Sequence, residues 1–429
     1  MEKRTVPNVS RESRPASRYR WVILTIIVMA QVGIVMAGMA VTPLAPFVLG
    51  DLVSSRTELG MLVSALLVGA GIGSMPGGWL SDRSVRWTLA GGQALLASMV
   101  IVLSQVTSFQ VSLALLFLGG IGYGAVTAAA TKAVAAWFTT RERALAMGLM
   151  VSSGPMGSAI MSLVLPPLGQ AWGWRPALLP FTGLVLVSTL SCAALFRSPP
   201  TDHAPGGEIS HVKLGVWDIL KKRETWLLSG SAMLMGCMEH AFRTYFLLHL
   251  TEVTLLSVIV GGWYLALSHG SGLFGRVGWG LVADRWFRGD RAGLFAVLPL
   301  MAGTALLLLG LGWGSPWILP LLAIIFGLAG GGWVGVWSLI LLDRANTKSA
   351  GTEIGLVMSF TYVGVVLGPI LFGRGVDLTG SYQTTWMVFS AIAIPASACA
   401  LLLRRSRRKT GDLVASSPVG LPRTSEREA

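Results

Sequence analysis

Long apolar runs separated by short polar segments dominate the chain. Each run reaches the roughly 20 residues that an α-helix needs to cross the hydrocarbon core of a bilayer. The pattern therefore predicts an all-α membrane protein with twelve transmembrane helices, whose even number places both termini on one side of the bilayer. The twelve runs lie at about residues 21–47, 58–80, 88–106, 111–137, 144–166, 174–196, 226–249, 255–281, 292–312, 316–342, 352–373 and 383–403.

One polar connection divides the runs into six and six. Residues 197–223 include SPPTDHAPGGE, a cluster of Pro, Gly and Asp that no membrane helix would carry. The dipeptide Asp82-Arg83 after the second run recurs as Asp284-Arg285 after the eighth. We therefore predict two pseudo-symmetric six-helix bundles. The expected domains are a basic N-terminus at 1–20, bundles at 21–196 and 224–405, a central loop at 197–223 and a disordered tail at 406–429.

Basic residues are concentrated at the two ends and in alternate loops. The formal net charge is +13, and the loops after the second, fourth, sixth, eighth and tenth runs carry most of the loop arginines and lysines. The opposite loops hold only Arg56, Arg175 and Arg374. Because positively charged loops are retained in the cytoplasm, we predict that both termini are cytoplasmic, in a bacterial-type inner membrane. The same distribution argues against nucleic acid as a partner.

Composition and motifs argue against a soluble enzyme. Only 12% of the residues are charged, against about 25% in a typical soluble domain. The sequence has no phosphate-binding loop and no His or Cys set with metal-ligand spacing. We therefore expect no cofactor and no metal. The expected partners are a small solute, protons and the lipid bilayer, and we expect a monomer driven by an ion or solute gradient.

Four motifs carry a family resemblance: GGWLSDRSVRW at 77–87, TKAVAAWFTTRERALAMG at 131–148, GWRPAL at 173–178 and GWGLVADRWFRGDR at 278–291. By these motifs the chain resembles the major facilitator superfamily over about residues 20–405. The resemblance implies two bundles that rock about a central site. Gly275-Arg276 with the following Gly280–Arg285 is similar to bacterial carriers of the monocarboxylate and oxalate type. That similarity implies that Arg276 binds a substrate anion.

Arg276 itself lies in an apolar run. It precedes Asp284 by eight residues, which places it about 12 Å deeper along the helix axis, inside the hydrocarbon zone. An arginine there must face protein or water and find an anion, and its guanidinium suits a carboxylate. A structural ion pair, or an arginine that extends to the interface, is the alternative. His269 lies two turns away on nearly the same face, as a protonatable neighbour or a hydrogen-bonded structural residue.

The seventh run contains the densest polar cluster, GCMEHAFRTYF. Glu239 and Arg243 are four residues apart, so they share one helix face and can neutralise each other. In the functional alternative, Glu239 carries a proton that it gains when a substrate carboxylate claims Arg243. His240 is a second candidate for proton coupling. Candidate ligands beside Arg276, Arg243 and His269 are Tyr245 and, unless it serves helix packing, Gln31.

Two pairs of charged residues and one Gly-Pro step are candidates for conformational gating. Asp82, Arg83, Asp284 and Arg285 end membrane helices, where a carboxylate can form an ion pair in one conformation only. The alternative is solvated loop pairs that contribute at most ~1 kcal/mol. Gly154-Pro155 in the fifth run predicts a hinge or kink.

We therefore expect a secondary active transporter of a small organic anion. The substrate is expected to be a carboxylate, moved with protons as a symporter by alternating access. The first alternative is a proton-coupled exporter of drugs or metabolites, which predicts an embedded carboxylate in the N-terminal half. The first six runs contain no such Asp or Glu. The second is a transporter-like membrane sensor, which would bind a ligand without flux.

Overall fold

The computed structural model describes residues 19–197, 221–287, 289–313, 315–344 and 350–415. Twelve long helices within these ranges confirm the predicted all-α membrane fold. They are α1 Tyr19–Gly38, α2 Arg56–Arg83, α3 Val85–Leu103, α4 Phe109–Trp137, α5 Thr140–Trp172, α6 Leu179–Leu195, α7 Arg223–Glu252, α8 Val258–Arg285, α9 Arg291–Gly310, α10 (Ile318–Phe326, π-helical Gly327–Gly331 and Trp333–Arg344), α11 Ala350–Thr379 and α12 (Tyr382–Ala391 and Ala393–Ala415). Short helices at Ala45–Val48 and Trp174–Ala177 precede α2 and α6.

Ten membrane-spanning segments within the described residues are long and apolar enough to cross a bilayer. The helices outside this group are α7 and α8, because each carries charged or imidazole side chains near its middle. Much of α7 is packed inside the protein. Its polar groups are therefore shielded from lipid by the other helices.

Some predicted boundaries are corrected by the structure. The first apolar run was expected to be one span to residue 47, but α1 ends at Gly38, because Pro43 and Pro46 interrupt the run. At the other end α12 continues to Ala415, so the helix extends into residues 406–415, for which disorder was predicted. Residues 1–18, 198–220 and 416–429 of the predicted N-terminus, loop and tail lie outside the described residues.

Helices pack within each half and meet across the halves along two pairs. In the N-terminal half α4 packs on α2 and α3, and α1 on α5 and α6. In the C-terminal half α7 packs on α11 and α12, α8 on α10, and α9 on α12. Helices α2 and α4 can approach closely because Gly69 and Gly73 lack a side chain. A Cβ at either position would overlap the backbone of α4. The halves meet along α2–α11 and α5–α8.

The GWRPAL motif anchors a loop at the end of the N-terminal half opposite the start of α1. The Trp174 indole donates to the Asp51 carboxylate at 2.6 Å, and Arg175 forms an ion pair with the same group. The hydrogen bond from Trp174 and the charge of Arg175 hold the pKa of Asp51 below its usual value. The motif therefore ties the start of α6 to the loop before α2.

On this same face, α2 is joined to α11 and α7 by a contact that we call the clasp, made of Arg56, Thr57, Glu252 and Asp377. The Asp377 carboxylate accepts the backbone N–H groups of Arg56 at 3.0 Å and Thr57 at 2.8 Å, which are the first two amides of α2. Such amides lack partners within their own helix and favour a negative charge. The Arg56 guanidinium pairs with Glu252 at 2.7 Å. A carboxylate of one half thus caps a helix of the other.

The contacts between the halves change towards the face at which α1 begins and α8 ends, which we call the termini face. Among the described residues, the α2–α11 hydrogen bonds extend from the clasp to Ser64, whose hydroxyl donates to the Val366 carbonyl at 2.6 Å. Beyond this point Met358 and Tyr362 of α11 are exposed. The hydrogen bonds between α2 and α11 therefore lie at the clasp end, and the exposed Met358 and Tyr362 line the cavity between the halves.

We expect Asp377→Asn to weaken the clasp by about 1 kcal/mol, because an exposed charge at a helix N-terminus contributes about that much. The ratio of closed to open molecules should fall roughly fivefold. Spin labels at positions 54 and 378 should then show a larger share of long distances by pulsed electron resonance.

Glu58→Gln is the matched control for this variant. Glu58 accepts a hydrogen bond from the backbone N–H of residue 54, which a label at this position keeps, and no contact of Glu58 among the described residues bridges the halves. An unchanged distance distribution in Asp377→Asn, or an equal change in both variants, would contradict a role of the clasp in closure.

Candidate functional site

A cavity of about 320 Å³ lies between the two halves. It is bounded by α1, α2, α4 and α5 on one side and by α7, α8, α10 and α11 on the other. Most of its wall is apolar, with Val35, Leu67, Met161 and Val365 among the lining residues. The charged lining groups are all on the C-terminal half. Seven of the predicted functional residues line this cavity: Gly154, Pro155, Glu239, His240, Arg243, His269 and Arg276.

Glu239 and Arg243 form the ion pair that their spacing predicts. The Arg243 guanidinium contacts Oε1 of Glu239, whose residue is only 3% exposed. Its Oε2 accepts a hydrogen bond from the Trp333 indole of α10 at 2.9 Å. Each oxygen of this buried carboxylate therefore has a partner, as a charge out of water requires. His240, on the next position of α7, lies 3.3 Å from the Gly236 carbonyl through Nδ1.

Arg276 is held by two backbone carbonyls, one from each half. Its Nε donates to the Gly331 carbonyl of α10 at 3.2 Å, and NH1 donates to the Val151 carbonyl of α5 at 3.3 Å. These bonds use two of five guanidinium donors. In the described part of the chain no carboxylate forms an ion pair with Arg276. A full positive charge thus lies on the cavity wall with donors available to an anion.

Glycines allow α8 to approach α10 at this level. A Cβ at Gly275 would lie 2.6 Å from the Leu328 carbonyl oxygen, and one at Gly335 would overlap the Arg276 backbone. The π-helical turn of α10 lies directly beside this contact. Such turns are frequent at functional sites because they displace backbone groups from the regular α-helical pattern.

His269 also lines the cavity, two turns from Arg276 on α8. Its residue is 4% exposed, and its Nε2 has no hydrogen-bond partner among the described atoms. A buried polar atom without a partner is rare in folded proteins. We therefore take this nitrogen as a candidate contact for a ligand in the cavity.

Two predicted ligands do not line the cavity. Tyr245 is fully buried, and its hydroxyl lies 2.5 Å from the Arg56 carbonyl and 3.0 Å from the Pro369 carbonyl, so it supports the clasp. It is two positions beyond Arg243, which turns it to the far side of α7. Gln31 is buried one turn before Val35, where α1 reaches the wall.

The predicted gating residue Asp82 forms an ion pair with Lys132 of α4, in its own half. The neighbouring Arg83 guanidinium stacks over the Trp79 ring at 3.9 Å. Both Asp82 and Lys132 are exposed to a large extent. Its gating role stays a prediction, and Lys132 is a partner that a local sequence pattern does not reveal.

The second copy of the motif is looser. Asp284 lies 4.0 Å from Arg291 at the start of α9, again within its own half, and Arg285 ends α8. At the fifth helix, α5 runs continuously through Pro155, and a Cβ at Gly154 would meet nothing within 4 Å. Gly154 is therefore not required by packing, and the hinge stays a prediction.

Several lining residues were missed by sequence reasoning. Tyr123 of α4, Trp333 of α10 and Tyr362 of α11 bring aromatic rings to the cavity, and Ser158 brings a hydroxyl. Trp333 directly follows three glycines, Gly330–Gly332, an unusual run within an apolar helix. That run was a usable signal of a helix irregularity. The other side chains are brought to the site by tertiary packing alone.

The chain is similar in sequence to known membrane transporters. A sequence model of the Major Facilitator Superfamily matches residues 27–369. The chain is 25% identical to a probable sulfoacetate transporter of Cupriavidus necator over 384 residues, covering 81% of this chain and 85% of that protein. It is 29% identical to monocarboxylate transporter 11 of Mus musculus over 365 residues, covering 78% and 76%.

A solved structure with similar architecture is that of a bacterial homolog to the human lysosomal transporter Spinster, in an inward-facing and unoccupied conformation. The TM-score is 0.76 at 16% sequence identity, over 92% of this chain and 99% of that one. At this identity the similarity concerns the fold alone.

We expect Arg243→Gln to lower the unfolding free energy by about 3 kcal/mol, because it leaves the buried Glu239 carboxylate without its counter-ion. Arg243→Gln with Glu239→Gln should recover part of this loss, since a neutral pair needs no counter-ion. Thermal unfolding in detergent measures both.

Arg175→Gln, which breaks the more exposed pair with Asp51, serves as the control and should cost under about 1 kcal/mol. Additive losses from Glu239→Gln and Arg243→Gln would show that the two side chains do not act as a pair.

Proposed function

Since the chain belongs to the Major Facilitator Superfamily, we propose that it is a proton-coupled secondary transporter of small organic anions carrying a carboxylate or sulfonate group. One observation carries the proposal. The Arg276 guanidinium lies on the wall of a cavity between the halves, and no carboxylate of the described residues neutralises it. A buried cation of this kind favours an anionic ligand.

Arg276 would bind the acidic group of the substrate. A guanidinium donates two parallel hydrogen bonds to a carboxylate or sulfonate, which fixes the orientation of the anion as well as its charge. The bond from NH1 to the Val151 carbonyl is long, at 3.3 Å, and is readily exchanged for a stronger one to an anion. His269 would contribute its partnerless nitrogen on the same wall.

Arg243 and Glu239 would couple anion binding to proton binding. In the structure Arg243 is neutralised by Glu239. When a substrate anion attracts Arg243, the buried Glu239 carboxylate loses part of the attraction to its counter-ion. Its charged form then becomes less stable, and it takes up a proton. Anion and proton would then be carried together across the bilayer. His240, adjacent on the wall, is the alternative proton site.

The size and lining of the cavity favour a small substrate. About 320 Å³ is at the lower end of the range for small-molecule sites. The names of the relatives describe transport of sulfoacetate and of monocarboxylates, both small anions. Among the described residues, Glu239 of α7 is the one carboxylate that lines the cavity, and it belongs to the C-terminal half. The drug exporter would instead be expected to carry an embedded carboxylate in the N-terminal half.

The charge of the loops supports a bacterial-type inner membrane with both termini in the cytoplasm. In that orientation the clasp is periplasmic, and the termini face would give the cavity access from the cytoplasm. The structure then corresponds to an inward-facing state. Asp82-Arg83 and Asp284-Arg285 would engage the opposite half when that face closes.

The proposal is tested by counterflow in proteoliposomes with radiolabelled lactate, oxalate and sulfoacetate. We expect at least one of these anions to exchange. For that anion, Arg276→Lys should lower affinity about tenfold because an ammonium cannot make two parallel hydrogen bonds, and Arg276→Gln about a hundredfold. A thermal-shift series with the same anion should show the same order.

Arg175→Gln again provides the control, because it removes an arginine distant from the cavity. Normal affinity in both Arg276 variants would remove Arg276 from the anion site. Binding of an anion without counterflow would instead indicate a sensor.

A further inference from the structure

Trp333 of α10 makes a buried hydrogen bond to the glutamate of the cavity wall. Its indole N–H donates to Oε2 of Glu239 at 2.9 Å, and the two residues are 2% and 3% exposed. Arg243 occupies the other oxygen. The indole therefore fixes how the carboxylate is turned relative to Arg243.

The same short stretch of α10 also holds the anion site. Two positions before Trp333, the Gly331 carbonyl accepts the hydrogen bond from Nε of Arg276. A Cβ placed on Gly331 would lie 3.9 Å from an amino nitrogen of Arg243. Residues 331–333 of α10 thus contact the arginine of α8 through a carbonyl and the acid of α7 through an indole.

This stretch begins at the last residue of the π-helical turn Gly327–Gly331. The Gly332 amide donates to the Gly327 carbonyl at 3.1 Å, which is the spacing of five residues that defines such a turn. The turn packs directly on α8, because a Cβ at Gly327 would overlap the Ser271 hydroxyl and the Ser268 carbonyl. The bond from Arg276 to the Gly331 carbonyl therefore joins the anion site to the backbone that carries Trp333.

We propose that Trp333 is a positioning residue for Glu239, which links occupation of Arg276 to protonation of this carboxylate. The proposal rests on the proposed function. Trp333 acts through Glu239, so its indole N–H is needed for the proton-coupled step and not for retention of the anion by Arg276. Without the N–H, Oε2 would be left in a buried site without its donor, and the carboxylate would turn towards Arg243.

Trp333→Phe removes the N–H and keeps an aromatic ring. In proteoliposomes with lactate, oxalate and sulfoacetate, we expect uptake driven by an inward proton gradient to fall about tenfold or more, the factor typical of a lost hydrogen bond to a charged group. Counterflow of the same anion, which needs no net proton movement, should fall much less, so that the ratio of driven uptake to counterflow falls. A role in packing alone would lower both rates together.

Trp386→Phe is the matched control. Its indole nitrogen is also buried but has no hydrogen-bond partner among the described atoms, and its ring packs on Phe372 away from the cavity. We expect the ratio of driven uptake to counterflow to be unchanged in this variant.

The double variant Trp333→Phe with Glu239→Gln shows whether the tryptophan acts through the glutamate. We expect its ratio of driven uptake to counterflow to equal that of Glu239→Gln alone, whereas independent roles would give multiplied losses. Parallel loss of both rates in Trp333→Phe, an unchanged ratio, or multiplied losses overturn the inference while anion transport stands. Absence of counterflow for all three anions overturns the proposed function together with it.

Discussion

A positive charge within the hydrocarbon zone is the constraint on which this structure depends. Arg276 would be expensive to hold in lipid, so α8 must turn it towards the interior, where carbonyls of two other helices accept its hydrogen bonds. Those carbonyls accept its hydrogen bonds without neutralising its charge. A positive charge without a paired carboxylate among the described residues therefore lies at the boundary between the halves. The second arginine at this boundary, Arg243, is neutralised by Glu239.

The helices that carry these groups are built differently from the rest. Helices such as α1 and α9 are long and apolar enough to cross a bilayer, whereas α7 and α8 carry polar side chains near their middles that neighbouring helices shield from lipid. Glycines on α8 and α10 make this shielding possible by letting backbones touch. The π-helical turn of α10 then offers the Gly331 carbonyl to a side chain. The close packing of α8 on α10 and the π-helical turn of α10 together position the hydrogen bond between Arg276 and Gly331.

The sequence predicted the number of helices and the two-bundle fold, because bilayer thickness imposes a length that composition reveals. It also brought Glu239, Arg243, His269 and Arg276 to attention, because each is costly in lipid. Trp333 and Tyr123 were missed because an aromatic residue in a membrane helix is common and its partner lies on another helix. Tyr245 was assigned to the wrong contact since proximity in sequence to Arg243 does not mean a shared helix face. The end of the first span before Pro43 was missed, because the apolar run continues past this proline.

The cap that Asp377 places on α2 has a consequence for how the clasp can be observed. While the halves are joined, the amide hydrogens of Arg56 and Thr57 are bonded to a carboxylate of the other half. Separation of the halves would return both amides to solvent, at a helix end that has no internal acceptor for them. Their exchange with deuterium would then follow the opening equilibrium itself. Two backbone hydrogens thus give the protein an intrinsic, label-free record of which face is open.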